Sequence, residues 1–165
     1  MLITAWQGDI TTLEVDAIVN AANEHLVRGS GVCGAIFAAA GPQLDVACAA
    51  IGHCGTGDAV ATPAFELPSR WVIHTVGPIY GDDPARDADL LASCYRRSLQ
   101  VAAEVGARSI AFPAISTGIY GYPPDDAAAI AVDTVRAEAG RDLDRVVLVA
   151  FDGTTADRYR RLLEG

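Results

Sequence analysis

At 165 residues the chain has the length of one domain with a single sizeable core, and residues 1–165 read as one unit. Hydrophobic residues make up 51% and charged ones 20%, which excludes a disordered segment and a coiled coil. A net charge of -9 leaves no basic face for a nucleic-acid backbone, and all 12 bases are arginine, which excludes a P-loop lysine or a lysine Schiff base.

Leu2–Trp6 reads as a first short strand. It lacks the basic flank and long apolar run of a signal peptide, and no uncharged apolar run in the chain approaches the ~20 residues that span a bilayer. A cytoplasmic protein without membrane contact is the expectation. A loop, Gly8-Asp9-Ile10-Thr11, follows, and then a second strand, Ala17–Val19. After it come Asn20-Ala21-Ala22-Asn23 and a glycine loop, Gly29-Ser30-Gly31-Val32-Cys33-Gly34. Ile36, Ala40, Leu44 and Ala47 then share one face of a helix from about Gly34 to Ala50. Strands are expected at Asp58–Thr62 and Trp71–Val76, and Leu90, Leu91, Tyr95, Leu99 and Ala102 mark a second helix. The strand Ser109–Pro113 leads to the loop Ser116-Thr117-Gly118-Ile119-Tyr120-Gly121-Tyr122-Pro123. Pro123-Pro124-Asp125 opens a third helix with Ala127, Ile130, Ala131 and Thr134 on one face. Val146–Phe151 is the last strand, and Thr154 caps a final helix through Leu163 with Tyr159, Leu162 and Leu163 inward. Strands alternating with helices predict an α/β protein with a largely parallel sheet covered on both faces. Ligands of such sheets sit outside the carboxyl ends of the strands.

The four cysteines (33, 48, 54, 94) show no C-x-x-C spacing and read as unpaired thiols; His25, His53 and His74 lack metal-ligand spacing, so no metal is expected. Gly29 to Gly34 spell G-x-G-x-x-G, yet a Rossmann fingerprint needs its first glycine directly after the strand and an acid ~20 residues on. Neither is present. What remains is a glycine loop feeding a helix N-terminus, which can hold an anion, or a loop whose glycines only solve a turn. The second glycine loop also feeds a helix start, so the two can clamp a pyrophosphate from both sides without a basic side chain. Asp9 can accept from an adenine amino group or merely form a turn. Asn20 and Asn23 suit sugar hydroxyls, or turns and caps. Asp125 and Asp126 read as first-turn acids.

Together these motifs resemble the macrodomain family, and within it the MacroD-type branch. The likeness runs through Val19-Asn20-Ala21-Ala22-Asn23, the glycine loop, Trp71 to Pro78, Ala111-Phe112-Pro113-Ala114-Ile115 and Ser116 to Pro123, nearly the whole chain. It implies a three-layer α/β/α sandwich with a mixed, mostly parallel central sheet that binds ADP-ribose. Asp9 would then contact adenine beside the Ile10 backbone, with Phe151 packed near the base. The loop holding Gly31, Val32 and Cys33 and the loop holding Ser116, Thr117, Gly118, Ile119 and Tyr120 would enclose the diphosphate. Asn23 would reach the distal ribose with Asn20 in support, and Tyr120 would cover it. Asn23, Asn20 and Gly31 are thereby the candidate catalytic positions. The branch removes ADP-ribose from acidic side chains and deacetylates O-acetyl-ADP-ribose, both by ester hydrolysis at the distal ribose. Mono-ADP-ribosylated proteins are the implied partners, and no cofactor is implied.

The glycine loop of the branch ends G-V-D-G, with the Asp proposed to orient or activate water. Here Cys33 stands at that position and Phe37 replaces the following histidine. Viral macrodomains with a non-acidic residue there, cysteine among them, still hydrolyse ADP-ribosyl esters. The branch that uses a catalytic lysine is excluded. Two functions follow from the resemblance: an ADP-ribosyl-ester hydrolase that positions water, or a non-catalytic reader of ADP-ribose and of proteins carrying it.

Overall fold

The computed structural model describes residues 1–140 and 142–165. Among them are six strands, β1 (Leu2–Gln7), β2 (Ala17–Ala21), β3 (Ala59–Pro63), β4 (Trp71–Thr75), β5 (Ser109–Phe112) and β6 (Arg145–Ala150). Five α-helices accompany them: α1 (Gly31–Ala40), α2 (Pro42–Ile51), α3 (Pro84–Glu104), α4 (Pro124–Glu138) and α5 (Gly153–Glu164). The sheet runs β1-β6-β5-β2-β4-β3. All neighbours pair in parallel except β3 and β4, so the sheet is mixed and mostly parallel as the resemblance implies.

Side chains alternate across this sheet. Ala17, Val19, Ile73, Ile110, Phe112, Val146 and Leu148 face α3, α4 and α5. Ile18, Val72, Ala111, Val147 and Val149 face α1 and α2 on the other side, around Ile36, Phe37 and Leu44. Continuous apolar strands are what a sheet buried on both faces needs. Three layers result.

Two expectations are corrected. The single helix from about Gly34 to Ala50 is two helices bent by 113°. Gly41 has φ +88° and Pro42 opens α2, where its ring and missing N–H would cost an unbroken helix about 3 kcal/mol. Helix α1 also begins at Gly31, not Gly34. The cap of α5 is Asp152 rather than Thr154: its Oδ1 accepts from the Thr155 N–H at 2.8 Å. At the other three helix faces, Tyr95, Ala131 and Tyr159 are buried as the spacing requires.

The carboxyl ends of β1, β6, β5, β2 and β4 all open on one edge of the sheet. That edge carries every loop singled out by its chemistry.

Candidate functional site

A cleft of about 390 Å³ lies at this edge, between the loop before α1 and the loop after β5. Its first wall is Asn23, Gly29, Ser30, Gly31, Val32 and Cys33. Across from it stand Ser116, Gly118, Ile119 and Tyr120, over a floor of Ala21, Ala22, Gly77, Ala114 and Ile115. None of these residues carries a formal charge. Arg28, next to the glycine loop, is turned toward α2, with Asp45 at 3.4 Å and the Phe37 ring at 5.9 Å.

Backbone donors do what side-chain charges do not. The first N–H groups of a helix have no partner within it. Ser30 is the N-cap of α1, yet its side chain makes no capping bond. The opening turn of α1 therefore presents its N–H groups and the positive end of its dipole to the cleft. Gly31 has φ +60°, and a Cβ there would point into open space, the space of the cleft itself. Gly34 is needed for a different reason: a Cβ would meet the Gly29 carbonyl oxygen at 2.6 Å.

The loop is braced from beneath. Asn23 closes it with both ends of its amide, donating from Nδ2 to the Val27 carbonyl at 2.8 Å and accepting at Oδ1 from the Val27 N–H at 3.2 Å. One Nδ2 hydrogen and one Oδ1 lone pair are left for a ligand. Cys33 is 6% exposed and lines the cleft while its Sγ lies 3.7 Å from Asn20 Nδ2. Asn20 is itself fully buried, paired in register with His74, and its Nδ2 donates to His74 Nδ1 at 3.1 Å. That donation puts the ring proton on Nε2, which faces Thr62 Oγ1 at 2.9 Å. Burial pushes His74 down to about 4, so the ring is neutral. Asn20 Oδ1 is buried without a hydrogen-bond partner among the described residues, a cost of roughly 1–3 kcal/mol. Burial likewise pushes the thiols of Cys48, Cys54 and Cys94 up to about 11, and all four cysteines are free.

The opposite loop is anchored at its ends. Ser116 adopts φ +67°, a conformation costing a non-glycine residue roughly 1–2 kcal/mol, and its Oγ donates to the Pro78 carbonyl at 2.9 Å. The Tyr122 N–H donates to the Ser116 carbonyl at 2.9 Å, and the Tyr80 N–H to the Tyr120 carbonyl, also at 2.9 Å. Between these anchors Ile119 is 89% exposed.

Several sequence expectations change at this level. Asn20 underlies Cys33 and His74 and does not line the cleft; its bonds run to those two side chains rather than to Asn23. Thr117 turns away from the cleft, with its Oγ1 donating to the Ala114 carbonyl at 3.3 Å, because the unusual φ of Ser116 redirects the next side chain. The N-terminus of α4 does not face the cleft either. Gly121 has φ +71°, and Pro124 borders a different cavity, so among the described helices it is α1 whose first turn lines the cleft. Asp9 forms the turn: its Oδ1 accepts from the Thr11 N–H at 2.9 Å and from Thr11 Oγ1 at 2.7 Å, leaving Oδ2 to other donors. Ile10 is buried in the core, and Phe151, just past β6, is 92% exposed. Asp9, Ile10 and Phe151 stand at the β1 and β6 ends of the same edge, outside the cleft proper.

Sequence reasoning missed two contributors. Gly77 forms part of the floor, and a Cβ there would overlap Ser116 and Ile115. Its only signal is a glycine following an apolar strand. His74 sits in the middle of β4, where an isolated histidine on an apolar strand reads as core.

A family model described as Macro domain matches residues 19–131. An O-acetyl-ADP-ribose deacetylase of Klebsiella pneumoniae (strain 342) is 56% identical over 162 residues, covering 94% of this chain and 93% of its own. A macrodomain of Oceanobacillus iheyensis solved with ADP superposes with a TM-score of 0.93 at 42% identity, over 97% of this chain and 88% of that one. A Trypanosoma brucei macrodomain solved with ADP-ribose gives 0.91 at 40% identity, over 98% of this chain and 68% of that one.

Proposed function

The chain belongs to the macro domain family, and from that premise we propose that its cleft binds ADP-ribose and that the protein hydrolyses esters on the distal ribose. The observation that carries this reading is an uncharged cleft closed on one side by the uncapped N-terminus of α1. An anion bound there needs no arginine. The name of the Klebsiella relative and the ADP-ribose in the Trypanosoma structure support the same ligand.

In this reading the diphosphate lies between Gly31 and the Ser116–Tyr120 loop, with the adenine toward Asp9 Oδ2 and Phe151. The distal ribose lies over Asn23. The substrates are O-acetyl-ADP-ribose and proteins bearing mono-ADP-ribose on acidic side chains. Water held by the spare hydrogen and lone pair of Asn23, and by a phosphate oxygen of the substrate, attacks the ester carbonyl carbon. Its proton passes to the phosphate oxygen and then to the departing ribose oxygen as the acyl C–O bond breaks. Free acid and ADP-ribose leave. Positioning of this kind contributes several kcal/mol, and loop N–H groups stabilise the developing oxyanion. In this reading Cys33 serves as neither base nor nucleophile; its Sγ lies 3.9 Å from the Val27 carbonyl oxygen, a weak donor contact.

One observation favours a second reading. With a thiol where the MacroD-type branch has a carboxylate, no acidic side chain lines the cleft to activate water. A reader that binds without turnover has the same cleft. Following ADP-ribose release from glutamate-linked ADP-ribosylated protein and from O-acetyl-ADP-ribose separates the two. Multiple turnovers on either substrate are expected; stoichiometric binding with no release on both leaves a reader.

A further inference from the structure

The end of the cleft that holds Asn23 has a side wall of its own. Gly29 carries no side chain there. The three atoms nearest to where its Cβ would stand are Cys33 Sγ at 3.6 Å, Cys33 Cβ at 3.7 Å and Asn23 Nδ2 at 3.8 Å. These are ordinary contact distances for a carbon atom. The Cys33 thiol and the Asn23 amide thus flank one notch over Gly29, and all three residues line the cleft.

The notch is neutral and largely apolar. Cys33 is a free, buried thiol, which packs as a small hydrophobe. Asn20 Nδ2 touches its sulfur from beneath at 3.7 Å. Val27 is bonded through its backbone to Asn23, its carbonyl lies 3.9 Å from Cys33 Sγ, and it adds an apolar residue that is 57% exposed. Tyr120 stands across the cleft. Arg28, one residue before Gly29, is turned to Asp45 at 3.4 Å.

Acyl groups on the distal ribose divide by this environment. Hydrocarbon gains from leaving water, by up to about fourfold in affinity per fully buried methylene. A carboxylate on the chain finds no cation among the residues lining the cleft. The substrate's own diphosphate, on the α1 N-terminus, repels it.

We propose that the notch between Gly29, Asn23 and Cys33 receives the acyl group, and that Cys33 sets specificity for hydrocarbon chains longer than acetyl. O-butyryl-ADP-ribose is then a better substrate than O-acetyl-ADP-ribose. Water adds to its acyl carbon, the acyl C–O bond breaks, and butyric acid and ADP-ribose leave. The proposal rests on the ADP-ribose reading of the cleft.

Two measurements on the full chain test it. The first is kcat/KM for O-acetyl-, O-butyryl- and O-succinyl-ADP-ribose. Butyryl and succinyl have the same number of carbons, and only succinyl ends in a carboxylate. The second is calorimetric affinity for the three amide analogues, whose nitrogen in place of the ester oxygen resists hydrolysis. The acyl contact is made before and during the reaction, so both measurements read it. Butyryl is expected to exceed acetyl about fivefold in each, and succinyl to gain nothing. Cys33→Asp sets a carboxylate against the chain, and Gly29→Ala fills the notch. Each should bring the butyryl-to-acetyl ratio to within about twofold of one, whatever happens to the absolute values. A ratio near one in the wild-type protein overturns the proposal. So does an advantage shared by succinyl, or one that survives either variant. Binding of the amides without turnover of any ester fails the hydrolase reading alone, and the amide affinities still decide the notch. If neither ADP-ribose nor any analogue binds, the reading of the cleft fails first, a result distinct from all of these.

Discussion

The loop before α1 rests on a chain of buried side chains, whereas the loop after β5 is tied near its ends and leaves its apolar tip in solvent. Beneath the first, Cys33, Asn20 and His74 are linked side chain to side chain, Asn23 holds the Val27 backbone, and Gly34 is packed on the Gly29 carbonyl. The second is tied at Ser116 and at Tyr120 to Tyr122, and its apolar tip, Ile119, stands in solvent. The difference assigns the loops different work. A loop whose shape is fixed before binding can hold a diphosphate on backbone N–H groups without losing conformational entropy. A loop with a free tip can close on the ligand afterwards.

Changes in the braced loop should therefore be the most damaging. Gly31→Glu places a carboxylate where the Cβ has only the cleft before it, at a φ that costs a side chain roughly 1–2 kcal/mol. ADP-ribose affinity should fall more than about 100-fold while the circular-dichroism spectrum stays native. Retained affinity would mean that the loop is not the phosphate cradle.

The brace under that loop should show in pH dependence. An unfolded His74 takes up a proton near its ordinary 6.5, the folded one only near 4. Between those values unfolding binds a proton, so this contribution is intact above about pH 6.5 and is lost as pH falls toward 4. It amounts to about 3 kcal/mol. Urea midpoints at pH 7.5 and pH 5 should converge in His74→Gln relative to wild type. Equal shifts in both proteins would contradict the neutral buried ring.

Asp9→Ala tests the far end of the edge, outside both loops. Binding should weaken by roughly 1–3 kcal/mol, with a separate loss of about 1 kcal/mol in stability because Asp9 also caps the turn at Ile10–Thr12. A stability loss with unchanged affinity would reduce Asp9 to its turn. Asn23→Ala should lower hydrolysis at least ~10-fold, since it removes the water's partner and both bonds to Val27. Cys33→Ala should change the rate least, within about twofold, and Cys33→Asp should raise it by supplying a base. Loss of turnover in Cys33→Ala at unchanged affinity would make the thiol chemical and the water mechanism wrong.

All six strands were legible because each is a short apolar run ending at turn residues. The bend at Gly41–Pro42 was hidden by the burial pattern, since Ile36, Ala40 and Leu44 are buried on both sides of it and keep the period of one helix. Ser116 and Thr117 read as equivalent in sequence; only the positive φ of Ser116 sends one hydroxyl to Pro78 and the other side chain to a different cavity. The α4 N-terminus looked like half of a clamp because its direction depends on the turn at Gly121. Asn20 offered the groups a sugar needs, but the β2–β4 register, which chain order does not reveal, pairs it with His74. The motifs thus located the edge, and long-range pairing decided which side chains reach the ligand.

The central claim is that a preformed, uncharged cleft holds a diphosphate on the backbone of one loop. Calorimetric titration with ADP-ribose at low and high salt measures it directly. Saturation in the micromolar range, with only mild weakening at high salt because no side-chain cation is engaged, is the predicted result. No saturation up to millimolar ligand, or an affinity that collapses with salt, would contradict it.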